Sequence, residues 1–197
     1  MIIKKIKNLF KGTDTTGLVW DKKAVTEAQA VEFAWKHINP EPAKYEEEMS
    51  WNKQGTAAYD LAKNGCKISD RYRMGREIAS DKKIADMIST HCTDTDLVLY
   101  RGVCDWVYNQ MVENAKGFPE CDLYEKGFMA TSLVKGHASV ASAMLRIYVP
   151  AGSNVVFLGN VNNELTTYYE VVIQRGAKLK IVSRDKDYIN CLLMETA

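Results

Sequence analysis

Three segments in the second half of the chain carry the residues best suited to chemistry. LVLYRG ends in Arg101 and Gly102, GFMATSL contains Thr131 and Ser132, and TTYYEVVIQRG contains Glu170. An arginine presents a rigid fork of N–H donors that suits a pyrophosphate, and a neighbouring glycine lets the backbone approach a ligand closely. Together, the three segments indicate a site for an anionic dinucleotide.

Each of these residues also has an ordinary structural interpretation. Arg101 can pair with an acidic side chain at a strand end. Thr131 and Ser132 can cap a helix or form a turn. Glu170 can be a solvated strand end. The order of the segments, and not any single residue, is what favours a site.

Glu170 is a candidate catalytic residue because it begins an apolar strand directly after a polar loop, residues 159–169. A carboxylate beside a ribose can accept a hydrogen bond from the 2′-hydroxyl and stabilise an oxocarbenium-like transition state. Cleavage of a glycosidic bond in this way needs no metal ion.

In order and spacing, the three segments resemble the mono-ADP-ribosyltransferases of the arginine–serine–glutamate class, which include the Rho-modifying exoenzymes and the binary actin toxins. The resemblance covers roughly residues 84–184. It extends to the strand and turn LRIYVPAGSNVVFLGN and to the glutamate strand YYEVVIQRGAKLKIV.

The resemblance implies a role for each candidate residue. Arg101 and Gly102 would bind NAD, and Thr131 and Ser132 would support the cleft that holds it. Glu170 would be the catalytic glutamate.

Two positions depart from the pattern of the family. Ala130 replaces the first serine of its Ser-Thr-Ser motif, whose hydroxyl usually steadies the catalytic glutamate. Tyr168 stands two residues before Glu170, where the family usually has a Glu or Gln that helps to select the acceptor. The resemblance therefore makes Tyr168 the substrate-recognition residue, with aromatic stacking open to it. Glu164 lies in the same loop, although its spacing does not match the motif.

The function that the resemblance implies is transfer of ADP-ribose from NAD, as substrate, to a macromolecular acceptor with release of nicotinamide. A protein acceptor is favoured over nucleic acid, and a neutralising protein is a further partner that such a toxin can have. Two alternatives stay open: an NAD glycohydrolase, and a catalytically weakened NAD-binding or interaction module, which Ala130 and Tyr168 suggest.

Size and composition are those of an ordinary globular protein. The 197 residues suit one domain. The 26 basic and 25 acidic side chains nearly cancel, so the net charge does not attract the protein to nucleic acid or membranes. No run approaches the ~20 apolar residues of a membrane span, so no stable membrane insertion is predicted. Five cysteines without a CxxC pair and three histidines without metal-ligand spacing predict neither a disulfide framework nor a metal site.

Hydrophobic periodicity predicts helices first and strands later, which is typical of an α+β fold. The predicted helices run from Thr26 to before Pro40, from Tyr45 toward Ala62 with a stop at Asn64-Gly65, from Ser69 to Ala79, from Ser80-Asp81 onward, over 105–117, and briefly after Ser132. The predicted strands are 97–100, GFMATS, 144–150, 153–158 and a meander from Glu170 with turns at Arg175-Gly176 and Arg184-Asp185.

We therefore expect a single domain over 1–197, mostly helical in 1–90 and β-rich and catalytic in 91–197. The resemblance implies that the helical part packs on two small, mostly antiparallel sheets, with NAD in the cleft between them.

The N-terminal segment MIIKKIKNLFKG places apolar residues on one helical face. It predicts a short helix docked on the domain, or alternatively an interfacial anchor or partner helix. Lysines interrupt its apolar residues and no small-residue cleavage site follows. We expect a cytoplasmic protein, or one delivered by a signal-independent route.

Overall fold

A computed structural model describes residue 20 and residues 24–38, 55–159 and 168–197. In this part of the chain a short 3-10 helix, Glu27–Gln29, precedes four α-helices: α1 Ala30–His37, α2 Ala57–Arg73, α3 Ala79–Ser89 and α4 Asp105–Ala115. Eight strands are described: β1 Leu97–Val103, β2 Leu123–Glu125, β3 Met129–Ser132, β4 Ala143–Val149, β5 Val155–Gly159, β6 Glu170–Ile173, β7 Ala177–Arg184 and β8 Ile189–Glu195. The predicted α+β class is confirmed.

Helix α2 continues through the predicted stop at Asn64-Gly65, so that prediction is wrong. Thr56 caps its first turn, because the Thr56 hydroxyl accepts a hydrogen bond from the Tyr59 amide at 3.1 Å. Buried residues follow at helical spacing on both sides of Gly65: Ala58, Leu61, Ile68 and Tyr72. Their packing outweighs the weak helix propensity of a single glycine.

Helix α3 begins where the sequence predicted, near Asp81. The Asp81 carboxylate accepts a hydrogen bond from the Ile78 amide at 3.0 Å and pairs with the Arg71 guanidinium of α2. Ile84, Met87 and Ile88 are buried on one face of the helix, as predicted. No α-helix among the described residues is long and apolar enough to cross a membrane.

The strands form one sheet in the order β2-β7-β8-β4-β1-β3-β6-β5, antiparallel except for the parallel pair β4–β8. The expected two sheets are therefore corrected to one. The connection between its two parts is narrow: β1 pairs with β4 along its whole length, but with β3 only at Tyr100 opposite Ser132. A five-stranded and a three-stranded part thus meet at the β1–β3 junction.

The sheet is covered on both faces, because neighbouring side chains along its strands alternate between different core clusters. In β5, Val155 and Phe157 join the largest cluster, which also takes in α1 and α4, whereas Val156 and Leu158 pack with α2 and α3. A third cluster joins Trp20 to aromatic and apolar residues of β1, β4 and β8. Helices α2 and α3 therefore cover the three-stranded part of the sheet.

Two further predictions about elements are wrong. The segment after Ser132 is not helical, because the Ser132 hydroxyl bonds both the amide and the carbonyl of Val134 and forms a tight turn. Strand β6 is not part of a meander: it pairs with β3 and β5, and only β7 and β8 form the predicted hairpin.

Candidate active site

Arg101 extends from β1 beside the junction of the two parts of the sheet. Its side chain is 12% exposed, and its Nη1 donates a hydrogen bond to the Ala130 carbonyl at 3.3 Å. Its Nη2 lies 3.6 Å from a carboxylate oxygen of Glu125, and its Nε is buried without a hydrogen-bond partner in the described part of the chain. Burial lowers the pKa of Arg101, and the Glu125 carboxylate opposes that change.

Glu125 connects Arg101 to a second arginine. The Glu125 side chain is 1% exposed and binds Arg73 of α2 through two parallel hydrogen bonds of 3.0 and 2.8 Å. It also accepts a hydrogen bond from the Gly127 amide at 2.8 Å. Sequence analysis missed both Arg73 and Glu125, since an arginine late in a helix and a glutamate in a short strand carry no distinctive signal.

Glu170 begins β6, opposite Ser132 of β3. Burial raises the pKa of its carboxyl from 4.5 to about 7, and the positive charge of Arg101 opposes this shift. The strand partner of Glu170 does not hold its side chain, because the Ser132 hydroxyl is engaged with Val134. The Thr131 hydroxyl donates to the Val171 carbonyl at 2.6 Å and so braces β6 against β3.

A cavity of about 240 Å³ brings the predicted site residues together. Its lining includes Arg101, Gly102, Thr131, Ser132, Tyr168 and Glu170. A second cavity of about 480 Å³ lies on the side of α2 and shares Tyr168 and Glu170 with the first. The two form one continuous candidate site, with Glu170 and Tyr168 where they meet.

Gly102 has a packing role in addition to the expected one, which stays a prediction. A Cβ atom built at this position would lie 1.8 Å from the Ser139 carbonyl oxygen. The missing side chain therefore makes room for the segment that follows Ser132, which passes directly over β1. Gly102 still lines the smaller cavity.

Further residues of the site carry no sequence signal. Cys66 of α2 and Ser139 line both cavities, and His137 lines the smaller one. Lys63 and Lys67 place positive charge along the larger cavity. These residues could not have been found from the sequence, because α2 and the segment after Ser132 reach the site only through the tertiary fold.

Several predictions fall wholly or partly outside the described residues, among them the start of the helix predicted from Tyr45. Glu164 and most of the loop 159–169 lie there, as does the amphipathic N-terminal segment. In the described ranges, no group of three or more His, Cys, Asp and Glu side chains is arranged to hold a metal ion.

Similarity to solved structures supports the fold. C3stau2 from S. aureus, solved with NAD, matches with a TM-score of 0.61 and 17% identity over 88% of this chain and 98% of its own. The Clostridium limosum C3 exoenzyme matches with a TM-score of 0.58 and 18% identity over 87% and 97%. Plx2a, an ADP-ribosyltransferase toxin from Paenibacillus larvae, gives 0.58 and 16% over 85% and 96%.

No curated protein matches the chain by sequence. The sequence profile that describes the ADP-ribosyltransferase exoenzymes matches residues 69–190, which is more than half of the chain. That span contains Arg101, Thr131, Ser132, Tyr168 and Glu170, and the match confirms the resemblance drawn from their three segments. The protein belongs to the ADP-ribosyltransferase exoenzyme family.

Proposed function

We propose that this protein transfers ADP-ribose from NAD to a protein acceptor and releases nicotinamide. The observation that carries the proposal is that Arg101 and the half-buried Glu170 line one cavity of a chain from this family. That C3stau2, with the same fold, was solved with NAD supports NAD as the substrate.

Arg101 is suited to the pyrophosphate of NAD. Its guanidinium is mostly buried, and Glu125 and the Ala130 carbonyl hold it on one edge. The 12% of the side chain that stays exposed lies at the smaller cavity, so a phosphate oxygen there can accept a charge-assisted hydrogen bond from the guanidinium.

Glu170 supplies the charge that the reaction needs. The bond between C1′ of the ribose and the nicotinamide nitrogen breaks, and nicotinamide leaves with the bonding electrons. Positive charge develops on C1′ and the ring oxygen, where a carboxylate in a poorly solvated site stabilises it strongly. A nucleophilic atom of the acceptor then bonds to C1′ and releases its proton.

The position of Tyr168 in both cavity linings supports a contact with the acceptor. Tyr168 is half-buried at the point where the two cavities join, next to the loop that precedes β6. Its ring offers a flat apolar surface and its hydroxyl a hydrogen bond, but no negative charge. We propose that it contacts the acceptor side chain.

The test is incubation of the wild type and of Glu170→Gln with labelled NAD and cell lysate. The wild type is expected to release nicotinamide and to label protein, whereas Glu170→Gln loses about 100-fold or more in rate, because its amide carries no charge. Glu113→Gln, on an exposed face of α4, is the matched control and is expected to keep wild-type activity.

The same experiment separates the alternatives. Release of nicotinamide without labelled macromolecule indicates an NAD glycohydrolase. NAD binding without release indicates a weakened binding module. Label that is sensitive to nuclease and resistant to protease contradicts a protein acceptor.

A further inference from the structure

The residue immediately before Glu170 has a backbone conformation that side chains rarely adopt. Tyr169 has a φ of +47°, in the left-handed region, and among the described residues it is the only one other than glycine with a positive φ. A bulky residue persists in this region only where its surroundings determine its position. The contacts of Tyr169 therefore bear on the direction in which β6, and Glu170 with it, begins.

Tyr169 is held through its backbone, its hydroxyl and its ring. Its carbonyl accepts a hydrogen bond from the Leu133 amide at 3.0 Å. Its hydroxyl donates to the Glu27 carboxylate at 3.1 Å, and its ring packs edge-on against the His137 ring at 5.2 Å. Burial and the Glu27 carboxylate raise the pKa of the Tyr169 phenol, so it stays protonated and remains a donor.

Glu27 connects these contacts to the N-terminal part of the chain. It belongs to the 3-10 helix before α1, 142 residues away from Tyr169 along the sequence. Its second carboxylate oxygen lies 3.6 Å from Nε2 of His137. One exposed carboxylate therefore joins the 3-10 helix, the segment after Ser132 and the start of β6.

The Glu170 carboxylate depends on this arrangement, because no hydrogen bond from the described part of the chain holds its side chain. The direction in which its side chain leaves the strand follows from the backbone at residues 169 and 170. We propose that Tyr169 and Glu27 are positioning residues that fix the Glu170 carboxylate for NAD cleavage. The inference rests on the proposed function, and it adds two residues that do not line the cavity around Arg101 and Glu170.

The first test is steady-state kinetics of nicotinamide release. Tyr169→Phe removes only the hydroxyl, and Glu27→Ala removes its acceptor. Both variants are expected to lower kcat about 5- to 20-fold while the KM for NAD changes less than about twofold, because the cavity that binds NAD is intact. Glu27→Gln keeps an acceptor oxygen and is expected to lose less than Glu27→Ala. Glu32→Ala, exposed on α1, is the matched control.

The second test needs no turnover. Carboxyl resonances of glutamate are followed by NMR as the pH is varied, with Glu170→Gln identifying the signal of Glu170. The wild-type carboxyl is expected to titrate with a pKa of about 7. In Tyr169→Phe the Glu170 carboxyl is held less firmly and becomes better solvated, so the pKa of Glu170 is expected to fall toward 4.5. Melting temperatures near that of the wild type establish that the variants are folded.

The two tests separate the proposals. If the wild type releases nicotinamide, a kcat of folded Tyr169→Phe within about twofold of the wild-type value overturns the positioning role. If the wild type releases none, the proposed function fails and the titration alone decides. A Glu170 pKa that Tyr169→Phe leaves unchanged then overturns the positioning role, and a lowered one supports it.

Discussion

At the scale of single residues, the site brings together two opposite charges that are both poorly solvated. Burial raises the pKa of Glu170 to about 7 and lowers the pKa of Arg101, so each group is moved toward its neutral form. Their mutual attraction opposes both shifts. A site with such charges can bind a charged ligand. The same poorly solvated charges make the folded state less stable than an uncharged site of the same shape would.

The first prediction concerns this loss of stability. The folded protein binds a proton at Glu170 up to a pKa of about 7, whereas the ordinary value is 4.5, so between these pH values the folded state holds more protons than the unfolded one. The contribution of Glu170 to stability is therefore full below the lower value and is lost as the pH rises through the upper one.

At pH 8, the free energy of unfolding of Glu170→Gln is thus expected to exceed that of the wild type by about 2–3 kcal/mol. Near pH 4, the two free energies of unfolding are expected to be equal. Urea denaturation of both proteins across this pH range measures the difference. Glu113→Gln serves as the control, with no comparable trend. An equal difference at every pH would show that the Glu170 carboxyl is not buried as described.

The second prediction concerns the guanidinium of Arg101. Lysine keeps the charge but loses the planar fork that can reach a phosphate, Glu125 and the Ala130 carbonyl together. Arg101→Lys is expected to weaken NAD binding about tenfold or more, as one charge-assisted hydrogen bond is lost. Calorimetric titration with NAD measures this, with the exposed Arg76→Lys as control. Unchanged affinity would return Arg101 to a purely structural role.

The sequence predicted the principal site residues better than it predicted their surroundings. Arg101, Tyr168 and Glu170 were expected in one site and line one cavity, although their chemical roles remain predictions. Arg73 and Glu125 could not be predicted, because their pairing depends on where the end of α2 lies relative to β2. Only a three-dimensional arrangement distinguishes a buried ion pair from surface charges of the same types.

At the scale of elements, predictions succeeded where a hydrophobic pattern was long and failed where a local signal competed with packing. Strands β1 and β4 and helix α4 appear at their predicted places. The dipeptide Asn64-Gly65 predicted a helix end, but buried residues before and after it extend α2 to Arg73. The partners of β6 also depend on the tertiary fold, which explains why a local meander was predicted instead.

The third prediction tests the continuity of α2. Gly65 lies within the helix, and a Cβ there would have only the Leu61 side chain nearby, at 3.8 Å. Gly65→Ala is therefore expected to raise the free energy of unfolding by about 0.5–1 kcal/mol. Gly75, just after the helix, has no atom within 4 Å of a built Cβ but a φ of +65°, so Gly75→Ala is expected to lower the free energy of unfolding by about 1 kcal/mol. Thermal unfolding of both variants measures the two changes in stability. A loss of stability in Gly65→Ala would contradict a continuous helix.

At the scale of the whole molecule, ion pairs join the helical part of the chain to the sheet. Arg73 comes from α2, Glu125 from β2 and Arg101 from β1, and the three meet beside the narrow β1–β3 junction. Asp70 adds a second carboxylate to Arg73 at 2.6 Å. The candidate site thus lies where the three-stranded part, the five-stranded part and α2 converge, so its geometry depends on all of them.

The last prediction concerns Glu125, whose carboxylate lies between the two arginines. Glu125→Gln keeps the shape of the side chain but leaves two mostly buried guanidinium groups without a negative charge between them. Removing one partner of a buried ion pair typically costs about 3–5 kcal/mol, so we expect a loss of that size in the free energy of unfolding. Glu120→Gln is the matched control and is expected to change stability far less, because the Glu120 carboxylate that pairs with Lys178 is 47% exposed. Equal effects of the two substitutions on chemical denaturation would show that the arginine–glutamate–arginine network does not stabilise the packing of α2 on the sheet.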